Sequence, residues 1–230
     1  MTDRSEAPSH EPESRVRPDG SPLPPVPDHI REAARQAPDH WLGVVDPGWT
    51  DPAPPPPWAV AGEWRSGLDG EVVEWRPNDD YRPSPLTLGW AEPTDPVDAA
   101  VQLAVTGYGL LRDAVTALGG AEVTVLRAPD GGPLTVAGED GEPAVPVFTS
   151  APHQVFGGAL AHDTVAVAEL VRLIAPADGR ISVNPAGPAR LLLDARQVLD
   201  AVVPTGSSPA ASSAEPPSTV PTSPVTQRTP

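Results

Sequence analysis

The sequence predicts an α+β protein, with antiparallel β-meander lobes, helices packed on one face, and disordered N- and C-terminal tails. Three observations carry this expectation. Short apolar runs separated by Gly-, Pro- and Asp-containing turns mark strands, apolar positions recurring about every 3.6 residues mark helices, and both ends hold too few apolar residues to build a core. Residues 1–27 read as a disordered arm. Residues 204–230 are mostly Ser, Thr, Pro and Ala, whose burial cannot offset the entropy lost on ordering the chain. Between the tails all six tryptophans precede residue 120 and both phenylalanines follow it, which divides the foldable part into a Trp-rich α+β lobe at 28–120 and a second α+β lobe at 121–203.

In the first lobe, residues 28–38 predict a short helix with Asp28 as N-cap, and residues 40–45 a strand. The run DPAPPPP at 51–57 reads as a stiff connector, because proline donates no backbone hydrogen bond. The next stretch, WAVAGEWRSGLDGEVVEWRP, reads as a hairpin closed by a two-residue type I′ turn at Asp69-Gly70. That turn sets Leu68 opposite Glu71, Arg65 opposite Glu74, Trp64 opposite Trp75 and Glu63 opposite Arg76, so one aromatic pair and two opposite-charge pairs arise together. It also places Trp58, Val60, Trp64, Val73 and Trp75 on one face. Such a stripe belongs in a core; its functional reading is an exposed binding platform. Farther on, Asp95 is positioned to cap a helix with Pro96 at its first position, an apolar stripe at Val97, Ala100, Val101, Ala104 and Val105, and Gly107 as its stop. A second helix is expected at 110–118, ending at Gly119-Gly120.

The second lobe opens as a three-stranded antiparallel meander over 121–150, with turns at 129–132 and 139–142. After it come a helix at 152–160, a strand at 164–167, a helix at 168–174, strands at 180–183 and 189–193, and a last helix at 195–203.

Composition narrows the chemistry. The net charge is −16, and all 15 basic residues are arginine, which excludes a Schiff-base lysine and a P-loop lysine. An acidic surface repels phosphate backbones, so nucleic acid is not an expected partner; solubility or attraction to a basic protein accounts for the charge. Cysteine is absent, which removes disulfides and thiolate chemistry. No segment has the apolar length of a membrane span, the first residues lack the apolar run of a signal peptide, and a cytoplasmic location is expected. The histidines His10, His29, His40, His153 and His162 show no metal-ligand spacing, so neither metal nor cofactor is expected. Ser150, His153 and Asp163 would supply the residue types of a nucleophilic triad, but no G-x-S-x-G elbow surrounds the serine. The acid pairs Asp79-Asp80 and Glu139-Asp140 lie in expected turns and read as solvated charge. The chain therefore reads as non-enzymatic.

The run V-P-V-F-T-S at 145–150, preceded by Pro143, and the later S-V-N-P-A-G-P at 182–188 resemble the SseB N-terminal-like domain. The segments DHWLGVVDP, WAVAGEWRS, EWRPNDDYRPSP and DPVDAAVQLAVTGYG resemble the portion preceding that domain in small proteins termed type VII secretion system-associated. Together the resemblance covers about residues 26–203. It implies association with a secretion system rather than a reaction, and it carries over no catalytic residue. Phe148, Thr149, Ser150, Asn184 and Pro185 occupy the motif positions. Their structural role would be a strand-to-helix turn and a turn after a strand, with Thr149 or Ser150 capping the next helix. Together with Trp58, Trp64 and Trp75 they form the candidate interaction surface. Secreted substrates of such systems pair a W-x-G turn with a Y-x-x-x-D/E tail. Trp41-Leu42-Gly43 matches the first, but Pro85 and Arg112 stand where Tyr81 and Tyr108 would need an acid. The leading expectation is a cytoplasmic accessory protein or adaptor binding a protein partner, basic or a secretion-system component. The alternatives are an immunity-type protein that neutralises a toxin, and a small hydrolase or transferase.

Overall fold

The computed structural model describes residues 24–138, 140–156 and 160–202. The tail expected at 204–230, residues 1–23 of the expected arm, Glu139 of the expected acidic turn and residues 157–159 of the helix expected at 152–160 lie outside them. The fold is α+β with two sheets.

The smaller sheet is a true meander, β1 (Trp41–Val45), β2 (Val60–Ser66) and β3 (Val72–Pro77), covered by α1 (Asp28–Gln36). Strand alternation turns Leu42, Val44, Trp64 and Trp75 toward Ile30 and Ala34 of α1, and these close a small core with Val72. Pro27, rather than Asp28, holds the N-cap position of α1; the Asp28 carboxylate instead pairs with Arg31 one turn on, at 2.9 Å. Ser66 is fully buried because its hydroxyl donates to the Ala37 carbonyl at 2.6 Å and accepts from the His40 N–H at 2.9 Å, fastening the end of α1 to the sheet.

The hairpin pairs Glu63 with Arg76, Trp64 with Trp75 and Arg65 with Glu74, as expected, but its turn is different. Gly67 accepts from Gly70 N–H at 3.0 Å and donates to the Glu71 carbonyl at 2.8 Å, so three residues, 68–70, form the loop. Only Gly70 is left-handed there, at φ 79°; Asp69 is not among the positive-φ residues, and its Oδ1 accepts from Glu71 N–H instead. This is the pattern of a type I turn followed by a glycine bulge. A three-residue loop would shift the register by one, and a β-bulge between Arg65 and Ser66 shifts it back. The bulge has a cost for the expected apolar face: Val72 is buried and Val73 is exposed.

The larger sheet runs β7 (His162–Ala166), β4 (Glu122–Leu126), β6 (Pro143–Phe148), β8 (Arg180–Val183), β9 (Leu191–Asp194), with β5 (Val136–Ala137) attached to β6. The expected meander is thus broken, because β4 pairs directly with β6 and β5 does not lie between them. Pro146 helps to explain the short β4–β6 ladder, which holds only Thr124↔Phe148 and Val125↔Val147: a residue without an N–H cannot extend it. β6 and β8 are parallel, joined by a crossover through β7 and α4 (Val167–Ile174). Val123, Val125, Val145, Val147, Ile181 and Val183 alternate onto one face, where they meet α2 (Pro96–Thr106), α3 (Leu111–Gly119), α4 and α5 (Ala195–Val202). Each such side chain, taken fully out of water, contributes about 1.5–3 kcal/mol.

α2 starts as its sequence dictates: Asp95 Oδ1 accepts from the N–H groups of Val97 and Asp98 at 2.8 and 2.9 Å, and left-handed Gly107 ends the helix. Val97, Val101, Ala114, Val115 and Leu118 belong to the core of the larger sheet. The two helices grouped by sequence with the tryptophans therefore pack with the second lobe. Around 152–160 the described residues form only a 3₁₀ turn, Ala151–His153, after which the Gln154 side chain donates to the Thr124 hydroxyl at 2.9 Å.

Candidate functional site

The C-terminal ends of the parallel neighbours β6 and β8 meet the N-terminus of α2, and the motif residues converge there. Thr149 N–H donates to Asn184 Oδ1 at 3.1 Å, Asn184 Nδ2 donates to Thr149 Oγ1 at 3.0 Å, and the Thr149 hydroxyl donates to Asp95 Oδ2 at 2.7 Å. Asn184 is almost wholly buried in the left-handed region, at φ 47°, a conformation asparagine tolerates better than other side chains. Ser150 Oγ lies 2.6 Å from Thr94 Oγ1. Burial would raise the Asp95 pKa, but the hydrogen bonds from Thr149, the backbone N–H groups of Asp98 and Val97, and Ser150 outweigh it and lower the pKa. Beside this cluster Asp98, also buried, accepts from Thr94 N–H at 2.9 Å. His153 Nε2 approaches Asp98 Oδ2 at 3.2 Å but off the N–H axis, leaving that nitrogen without a hydrogen-bond partner.

Geometry gives this cluster a positioning role. Thr149 does not cap the turn after it, since its hydroxyl is directed at Asp95, and Ser150 makes no side-chain cap either. The triad residue types do not assemble: Ser150 is matched with Thr94, His153 with Asp98, and Asp163 with Arg127. Phe148 packs on Phe156 at 4.9 Å between ring centroids, and Pro185 is half-buried in the turn after Asn184. Among the described residues no group of three or more His, Asp or Glu side chains stands close enough to hold a metal ion, and no helix is long and apolar enough to cross a membrane.

The tryptophans do not form one platform. Trp64 is 1 % exposed and packs on Trp75 at 4.8 Å between centroids, inside the small core. Trp58 lies apart, edge-on to Trp49 at 5.6 Å and to Tyr108 at 5.1 Å.

A second buried acid organises the loop between β3 and α2. Asp46 accepts from Gly48 N–H at 2.7 Å, Tyr81 OH at 2.5 Å, Ser84 N–H at 3.1 Å and Thr87 Oγ1 at 2.9 Å. Burial works against its charge, but the hydrogen bonds from Ser84, Tyr81 and the backbone prevail and hold its pKa down to about 2. Tyr81 is pushed up to about 12, first by burial and then by the same carboxylate.

That anchored loop creates a surface the sequence reading missed. Trp90 packs against the larger core and lines two hollows. One, of about 260 Å³, is walled by Leu86 and Trp90 on the loop and by Ala99, Leu103 and Tyr108 on and after α2. The other, of about 600 Å³ and more open, lies between Leu88 and Trp90 on one side and Ala104 and Val105 on the other. Leu86 is 65 % exposed, and Leu88, Leu103 and Val105 are each 43 % exposed. The signal was in α2: Leu103 lies off the expected stripe of Val97, Ala100, Val101, Ala104 and Val105, so the helix is apolar on more than its core face, and the stripe itself ends exposed at Val105 rather than buried.

Residues 98–200 match the family described as SseB protein N-terminal domain. The match begins inside α2 and ends inside α5, so the larger sheet with its helices is an SseB-like domain and the groove lies where that domain meets the segment before it. No curated protein and no solved structure matches the chain.

Proposed function

We propose that this chain is a non-enzymatic accessory protein of a type VII-like secretion system, acting in the cytoplasm as an adaptor that binds another protein. The observation that carries the reading is the Trp90 groove: exposed leucines and a valine flank a tryptophan on the surface of a strongly acidic chain, where scattered single apolar residues would call for no explanation. The groove is built jointly by the SseB-like domain and by the preceding loop, and that loop belongs to the segment that resembles secretion-associated proteins. The polar cluster at Thr149 and Asn184 supports a binding role over a catalytic one, because its hydroxyl and carboxylate are committed to holding strand ends and a helix N-terminus together.

The test is affinity capture from the native host with the full chain and with Leu103→Glu. The reading expects a secretion-system component enriched by the wild type and lost from the variant. Equal recovery of the same proteins by both chains, or recovery of no such component, overturns it.

A further inference from the structure

We infer that the outer edge of β1 is a self-pairing surface, at which two copies of this chain join antiparallel about a two-fold axis through Gly43. The surface is separate from the Trp90 groove and does not depend on it. β1 ends the smaller sheet, and among the described residues no strand pairs with its outer side. The Ser66 N–H donates to the His40 carbonyl at 2.9 Å and the Asp46 N–H to the Ala59 carbonyl at 2.8 Å, so His40, Leu42, Val44 and Asp46 turn their backbone groups toward β2. The N–H and C=O groups of Trp41, Gly43 and Val45 therefore point outward, at the two-residue spacing of a strand ladder. Proline and charged side chains guard a sheet edge against pairing. Of the strands that end the two sheets, β3 carries Pro77, β7 carries Asp163 and β9 carries Asp194, whereas β1 has neither proline nor charge.

The strand's own sequence is the complement it needs. A two-fold axis at Gly43 sets Trp41 opposite Val45 of the second copy, Leu42 opposite Val44, and Gly43 opposite itself, so every facing residue is apolar or glycine. In that register the outward backbone groups of residues 41, 43 and 45 satisfy one another in both copies. An aromatic residue facing a β-branched one is a favourable cross-strand pair. Trp41 and Val45 are exposed on the outer face, and Leu42 and Val44 are only partly buried on the α1 side. The small core encloses just Ile30, Ala34, Trp64 and Val72, so a second β1 covers apolar surface that this sheet and its one helix leave open. Charge permits the contact although each chain carries −16. Of the acids beside β1, Asp39 and Glu63 are paired with Arg65 and Arg76, and Asp46 is buried among its hydrogen-bond donors. Repulsion between the copies is therefore long-ranged and screened by salt. Pro8, Pro12, Pro18 and Pro22 leave residues 1–23 short of the N–H groups a ladder needs. A contact one strand long is small for a specific interface, so the dimer is weak and reversible.

The test is sedimentation velocity of the full chain, wild type, Gly43→Lys and Gly43→Glu, at concentrations from about 1 to about 200 μM. Position 43 accepts a side chain, since a Cβ there meets only the Val60 Cγ1, at 3.6 Å. Each substitution sets like charges against each other at the axis. The wild type is expected to pass from monomer to dimer across this range, and to dimerise about threefold more tightly at about 300 than at about 50 mM salt. Each variant alone should stay monomeric, and an equimolar mixture of the two should recover the dimer, which separates a lost contact from a lost fold. A wild type that stays monomeric, a dimer that both variants keep, or a mixture that associates no more than either variant alone overturns the inference. Dispersal of the dimer by a peptide of residues 1–23 would assign the edge to the chain's own arm, and a dimer that weakens as salt rises would assign the contact to ion pairs; either also overturns it.

Discussion

Thr149 and Asn184, at the ends of adjacent parallel strands, hold each other in both directions: the Thr149 N–H donates to Asn184 Oδ1 at 3.1 Å and Asn184 Nδ2 donates to Thr149 Oγ1 at 3.0 Å. The exchange leaves the threonine proton free for Asp95, the N-cap of α2, so three elements are fixed by one buried amide. Asn184→Ala removes these bonds and puts a Cβ without a compensating polar group in the left-handed region. It should cost about 2–4 kcal/mol in urea denaturation. Asn184→Gly loses the same bonds without the backbone penalty and should cost about 1 kcal/mol less. Loss of less than about 0.5 kcal/mol in both variants would show that the pair does not hold the strand ends.

Asp46 predicts an acid-sensitive loop. Its folded pKa, about 2, is below its ordinary value of 3.8, so its contribution is full above the ordinary value and is lost as the pH falls from about 4 toward about 2. The shift corresponds to about 2 kcal/mol for this buried carboxylate. Asp46→Asn should be less stable than wild type near neutral pH, and the gap should close as the pH approaches 2. A gap that stays constant with pH would place the loop's stability elsewhere.

At the hairpin, Gly70→Val should destabilise by more than about 1 kcal/mol, because the φ of 79° is strained for a β-branched residue. A Cβ there would also lie 3.1 Å from the Arg35 Cα of α1. Asp69→Ala loses a single local hydrogen bond to Glu71 and should cost under about 1 kcal/mol. A thermal melt in which Asp69→Ala falls further than Gly70→Val would restore the type I′ turn.

Local chemistry was legible in the sequence. The Asp95 cap, the Gly107 stop and the Trp64–Trp75 pair each depend on neighbours in the chain or on a short turn, and all three are present. The turn type was not, because the three-residue loop and the bulge offset each other: two departures from the simple hairpin give the same pairing farther along the strands. The burial of Val72 in place of Val73 follows from that bulge. The polar cluster was half legible. Thr149, Ser150 and Asn184 stood out as motif positions, but the partners Asp95 and Thr94 of the first two stand just before α2, more than 50 residues earlier in the chain, with no local pattern to announce the pairing. Asp46 carried no signal of its own, since its donors come from residues up to 41 positions away. The groove has no local mark in the sequence, because Trp90 gains its meaning only from the outer face of α2, which packs beside it in the fold.

The central claim, that the Trp90 groove is the protein-binding surface, is tested most directly by site-specific photo-crosslinking in the native host. A photoreactive side chain is placed at Leu103, 43 % exposed beside Trp90, and in a separate chain at Leu68, 86 % exposed on the hairpin loop. Both positions are exposed enough that melting should stay within about 0.5 kcal/mol of wild type, so any difference reports binding. The account predicts one discrete crosslinked protein from position 103 and none from position 68. The same adduct from both positions, or an adduct from position 68 alone, would contradict it.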